Sequence, residues 1–180
     1  MNIYSGMLAA YTAALVGMVV VGVLMYLVTA FFMSKLFAKA GVQGTWRAWV
    51  PVYNFMVFFK LGDLSPWLVL YCFGGAILLS WAGIGFLFSL ALFLGGGVAA
   101  YRIGMKLGKE PGFVAFWLIA PVWLGIMGYS KEPWNTAVAP AQWAGNAFIA
   151  DRTVWDGVPV QTSNAVPPVL DGPAPGSPAV

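Results

Sequence analysis

Polar positions are so sparse in the first 130 residues that the apolar runs between them define the elements. Residues 7 to 33 form one run of about 27 residues without a charge, long enough as a helix to cross a hydrocarbon core of about 30 Å. It reads as a transmembrane helix and not as a signal peptide, because it is too long and no Lys or Arg precedes it. Residues 67 to 101 are about 35 uncharged residues, roughly 50 Å as one helix and too long for a single crossing. A hairpin of two short spans, about 67–82 and 86–101, turns at Ser80 to Gly85; the rival is one strongly tilted helix. Residues 112–129 form a last, shorter run interrupted by Pro121, either a crossing or a re-entrant segment that returns to its own side.

Between the first two runs lies the stretch 39–66. Gly41, Gly44 and Pro51 break the first helix, and Phe55 to Leu61 reads as a short interfacial helix capped by Asn54. Trp46, Trp49 and Tyr53 suit the headgroup boundary, with Arg47 and Lys60 beside them. Ser65 followed by Pro66 marks a helix start. Near the other end of the hairpin, Arg102, Lys106 and Lys109 recur at helical spacing and read as a basic helix end facing anionic headgroups. The same helix carries Gly96, Ala100, Gly104 and Gly108 every four residues, a row that lets helix backbones approach closely, within the protein or at a homodimer face.

Composition fixes the class these patterns suggest. Of 180 residues, 61% are hydrophobic and 8% charged, with mean hydropathy +0.82, against a charged fraction of about a quarter in soluble domains. The expected fold is an all-α integral membrane protein with three to four transmembrane helices, an interfacial aromatic and basic loop, and an irregular Pro-rich C-terminal tail. With no His and a single Cys, Cys72, the chain lacks the residues for His-ligated haem or zinc and for an internal disulfide. Charge is uneven: residues 1–130 carry seven Lys or Arg against Asp63 and Glu110, while residues 131–180 carry Lys131 and Arg152 against four acids. By the positive-inside rule Lys35 and Lys39 hold the end of the first helix in the cytoplasm, so the N-terminus faces outward.

The run Ala40-Gly41, Trp46 and Pro51-Val52-Tyr53-Asn54, then Pro66-Trp67, Gly104 to Phe113 and Leu124 to Tyr129, resembles an uncharacterised family of small bacterial multispanning membrane proteins. The resemblance covers roughly residues 30 to 130. A similar domain is fused ahead of some bacterial type I signal peptidases. What the resemblance implies is a membrane fold in the bacterial inner membrane, with no established role. The peptidase activity itself is rejected on the residues, because it needs a nucleophilic Ser in a Ser-Met context and a Lys base. This chain has no Ser-Met pair, and Ser34 sits between Met33 and Lys35 with no catalytic part after it.

Other chemistry is sparse. Gly104 to Lys109 has three residues between its glycines where a phosphate loop needs four, and no Ser or Thr follows. No ionisable residue lies inside a span, as ion-coupled transport would require, and Asp63, Glu110 and the tail acids are expected on solvated surface. From Lys131 the chain holds eight of its twelve prolines and no span-length run, so residues 131–180 read as an extended tail apart from the membrane domain at 1–130. Trp134, Trp143, Phe148 and Trp155 within it mark a segment that docks on a partner or lies along the membrane. No cofactor, metal or nucleic acid is expected. The expected partners are the lipid bilayer and other membrane subunits, and the expected role is a non-enzymatic accessory or scaffold subunit. Two alternatives are an export-associated membrane domain and a small carrier or channel for a neutral or lipidic substrate, built on the breaks at Gly83 to Gly85 and Pro121.

Overall fold

The computed structural model describes residues 3–161, so the part of the Pro-rich tail at residues 162–180 lies outside the described residues. Among the described residues all regular elements are helices, and residues 130–161 carry only turns, bends and isolated bridges, which pair Leu64 with Ala150 and Trp155 with Val158. Three segments are long and apolar enough to cross a membrane, Ile3–Lys39, Gly85–Lys106 and Pro111–Tyr129.

Helix α1 spans Ile3–Lys39, 37 residues, or about 55 Å. Only its C-terminal part is packed. From Ile3 to Met25 every residue but Gly6 is exposed, whereas Ala30, Met33, Leu36 and Phe37 are buried. Past Lys39 the chain turns at Gly41 and climbs back along α1 as a 3-10 helix, Thr45–Trp49, whose Trp49 carbonyl accepts the Tyr26 hydroxyl at 2.8 Å. It then reverses into α2, Tyr53–Leu61. The aromatic sequence of α2 suggests a surface helix, but it packs inside this chain's own fold: every residue from Met56 to Leu61 is buried. Asn54 is buried as well, with its amide on the Ala48 carbonyl at 3.2 Å. Phe58 is its centre, stacked on Trp117 at 5.3 Å and edge-on to Trp123 at 6.0 Å.

The long second run folds as a hairpin. Helix α3, Trp67–Leu78, and helix α4, Gly85–Lys106, are joined through a short 3-10 turn at Ser80–Ala82. The turn closes on Gly83 at φ 74°, a left-handed conformation that glycine adopts without a Cβ penalty, and Trp81 at its tip is exposed. On the other side α4 meets the end of α2 with no room to spare: a Cβ on Gly62 would stand 2.4 Å from the Ala99 Cα, a backbone atom that cannot swing aside. Gly62→Ala is therefore expected to destabilise the protein by about 1–3 kcal/mol through overpacking, read as a lowered thermal midpoint in detergent.

The last apolar run is bent. Pro111–Ile119 forms a 3-10 helix, Ile119 leaves helical geometry at φ −118° and ψ 74°, and α5 follows as Ala120–Tyr129. The first arm rises from Lys109 to the level of Phe93, where the Trp117 indole donates to the Phe93 carbonyl at 3.1 Å. The second descends parallel to α1, Gly125 against Phe32 and Gly128 against Lys35, to Ser130 beside Lys39. Both ends of residues 111–129 therefore lie at the same end of the molecule.

The small-residue row on α4 is consumed inside this bundle. A Cβ on Gly96 would stand 2.5 Å from the Trp117 ring, Ala100 and Gly104 are buried, and Gly108 is the left-handed residue that ends the helix, at φ 64°.

Candidate functional site

The C-terminal ends of α1, α2, α4 and α5 converge at one end of the bundle. Each such end carries a partial negative charge from unpaired carbonyls, and Lys39, Lys60 and Lys106 stand in the last turns of α1, α2 and α4. Lys106 donates to the Leu61 carbonyl at 2.6 Å, and Lys39 donates to the Met127 carbonyl at 3.1 Å and to Ser130. Helix polarity thus sets why cations gather here.

Lys60, Arg102 and Lys106 were expected at the lipid and water boundary; the structure buries them, at 0%, 4% and 1% exposure. A buried cation needs a partner, and two buried carboxylates supply it. Asp63, just past the end of α2, accepts Arg102 Nε at 2.7 Å on Oδ2 and Lys106 Nζ at 2.6 Å on Oδ1. Asp151, from the tail, accepts Lys60 Nζ at 2.7 Å. Neither acid lies on the solvated surface that its position outside the apolar runs implies, because each is drawn in by cations that cannot leave.

The tail completes the arrangement. Lys60 also donates to the carbonyl and hydroxyl oxygens of Thr153, and Lys106 donates to Gln161 Oε1 at 2.7 Å. Arg102 reaches the Ala139 carbonyl at 2.9 Å, and the Asn135 amide returns to the Lys106 carbonyl at 2.9 Å. Ser65 N–H donates to the Ile149 carbonyl, Gln43 N–H to the Gly157 carbonyl, and the Trp143 indole to the Asp63 carbonyl. Residues 131–161 therefore lie across the central loop as a clasp of backbone bonds anchored on buried charge. At its edge Lys109 pairs with Glu132 at 2.7 Å, and that hydrogen bond holds the Glu132 carboxyl below the usual carboxylate range.

The aromatic residues singled out in the sequence divide on this geometry. Trp155 stacks on Tyr53 at 5.5 Å, and Tyr53 on Trp46 at 6.2 Å. Lys60 lies over the Trp155 ring and Lys106 over Trp134. Trp134, Trp143 and Trp155 pack against this chain's own core, and Phe148, still exposed, stacks on Tyr71 at 5.8 Å. Trp46 and Trp49 are exposed. Arg47 is half-buried, donating to the Tyr53 hydroxyl and the Asp156 carbonyl.

Asp63, Asp151, Thr153 and Gln161 were not foreseen. A signal existed for the first: Asp63 is the only acid in the first 109 residues, among basic residues that helix packing must bring together. Nothing local marks Asp151, whose partner is 91 residues away.

Chemically the cluster is spent. Each of the three buried cations, Lys60, Arg102 and Lys106, and each of the Asp63 and Asp151 carboxylates is satisfied by another group of this chain, which suits a structural lock. Ser34 donates to the Phe31 carbonyl at 2.7 Å, and Lys35 lies over the Phe31 ring. No family model matches this chain, and neither a curated protein nor a solved structure is significantly similar to it.

Proposed function

We propose that this protein is a non-enzymatic accessory or scaffold subunit of a larger membrane complex in the bacterial inner membrane, related to the small multispanning proteins that its residues 30 to 130 resemble. The observation that carries the reading is the state of α1. Its stretch from Met7 to Met25, 19 residues or about 28 Å of apolar helix, is exposed along its whole length among the described residues, while residues 131–161 of the tail are engaged at home. The contact element is therefore α1 and not the tail. Its Gly6, Ala9, Ala13 and Gly17 allow another transmembrane helix to approach closely. The buried ionisable groups are committed to one another, which favours a structural role over a catalytic one. Positive-inside bias places the basic end and the clasp in the cytoplasm and the α1 N-terminus outside.

The test is extraction from native membranes in a mild detergent followed by mass spectrometry, comparing the native chain with one carrying Ala13→Leu and Gly17→Leu. A stoichiometric partner is expected with the first and is lost with the second, at unchanged thermal midpoint, because both positions are exposed. A monodisperse monomer from both would contradict the subunit reading.

A further inference from the structure

A cavity of about 350 Å³ lies between α1, α2, α3, α4 and residues 111–129. Its walls include Met33, Phe55, Ala76, Leu92, Trp117 and Leu124, one or two from each element. Among the described residues Thr29 and Ser89 are the only hydroxyl residues in the lining, and Thr29 spends its hydroxyl on the Met25 carbonyl. The inner wall is closed by Phe55 and Trp117, behind which Phe58 and Trp123 pack edge to ring. The mouth is lined by Phe73, Ile77 and Phe93, each exposed on the outer faces of α3 and α4.

We propose that this cavity is a binding site for one hydrocarbon chain of a membrane lipid, which enters sideways between α1 and α3. Water does not suit it, because a buried water needs two to four polar partners and the walls offer almost none. A void of this size leaves its lining without dispersion contacts, and it is in the range of ligand pockets, about 300–1,000 Å³. The medium fixes the occupant. The mouth is continuous with the apolar surface that membrane-spanning helices turn to lipid, so the molecules in contact with it are acyl chains. Among the described residues the pocket ends against aromatic rings and has no cation in its lining, so it selects the chain and not the headgroup. Ala120, in its wall, directly follows the break in helical geometry at Ile119, the kind of discontinuity that an apolar substrate site would use. The subunit role does not depend on this site.

The experiment reconstitutes the full chain in phosphatidylcholine vesicles that carry a photoreactive diazirine midway along one acyl chain, and maps labelled residues by mass spectrometry. Labelling per residue at Leu92 and Trp117 is expected to exceed that at Leu15 and Val19 on open α1 several-fold. Ala76→Trp, which fills the cavity, is expected to abolish labelling at Leu92 and Trp117 and to leave Leu15 and Val19 unchanged; Ala76→Ser is expected to behave as the native chain. Should Ala76→Trp fail to fold, Ala120→Met narrows the same space from the opposite wall and is read in the same way. Labelling at Leu92 and Trp117 no higher than on α1, or unaffected by filling the cavity, would overturn the proposal. So would labelling of Phe73 and Ile77 that appears in vesicles but is absent in native membranes, since another polypeptide would then cover the mouth.

Discussion

Asp63→Asn is expected to cost about 3–5 kcal/mol, because it leaves Arg102 and Lys106 buried against an uncharged amide. Asparagine suits the backbone there: Asp63 has φ 64°, a left-handed value that Asn tolerates better than Ala. The effect therefore isolates the charge. With a typical domain stability of about 5–15 kcal/mol, a loss of this size takes much of the reserve. It is read as a large drop in thermal midpoint in detergent, with cleavage of the tail by added protease. A midpoint near the native value would mean that the two cations reach solvent and that the basic end is open.

The second large effect lies on the tail. Asp151→Leu is expected to cost about 3–5 kcal/mol by stranding Lys60 at full burial. Lys60→Met should cost a similar amount by stranding Asp151, and the double variant Lys60→Met with Asp151→Leu should recover most of either loss, since apolar groups of similar volume replace a buried pair at little cost. The readout is thermal midpoint in detergent together with the rate of proteolysis within residues 131–161. Single losses that simply add in the double variant would show that the two residues do not meet.

The apolar helices were legible because long uncharged runs allow few solutions. A run of 35 uncharged residues must break, and Gly83 beside Gly85 supplied the left-handed turn that lets it do so. Residues 111–129 left two readings open, because Pro121 permits a kink in a crossing helix as readily as a reversal. The non-helical backbone at Ile119 and the return of Ser130 to Lys39, neither of which has a local sequence mark, bring both ends of this segment to one end of the molecule. The central loop was misjudged for a different reason. Tyr53, Phe58 and Phe59 have the composition of an interfacial belt, yet a belt and a buried aromatic core use the same residues, and only the presence of α4 and residues 111–129 around α2 separates them. The basic cluster shows the same limit with charge. Lys106 at a helix end reads as solvated until Asp63 and Gln161 are known to meet it across 43 and 55 residues of chain.

The clasp is what turns the supposed docking arm into part of this protein's own body, and a disulfide test reaches it directly. Leu64 and Ala150 form an isolated antiparallel bridge, so their Cα atoms are about 4.5–5.5 Å apart, within disulfide reach. In a chain with Cys72→Ser, Leu64→Cys and Ala150→Cys, mild oxidation of intact membranes should close an intramolecular bond in nearly every molecule, before any detergent is added. Free thiols at both positions, or bonds formed only to other polypeptides, would contradict the clasp and return the tail to the role of a docking arm.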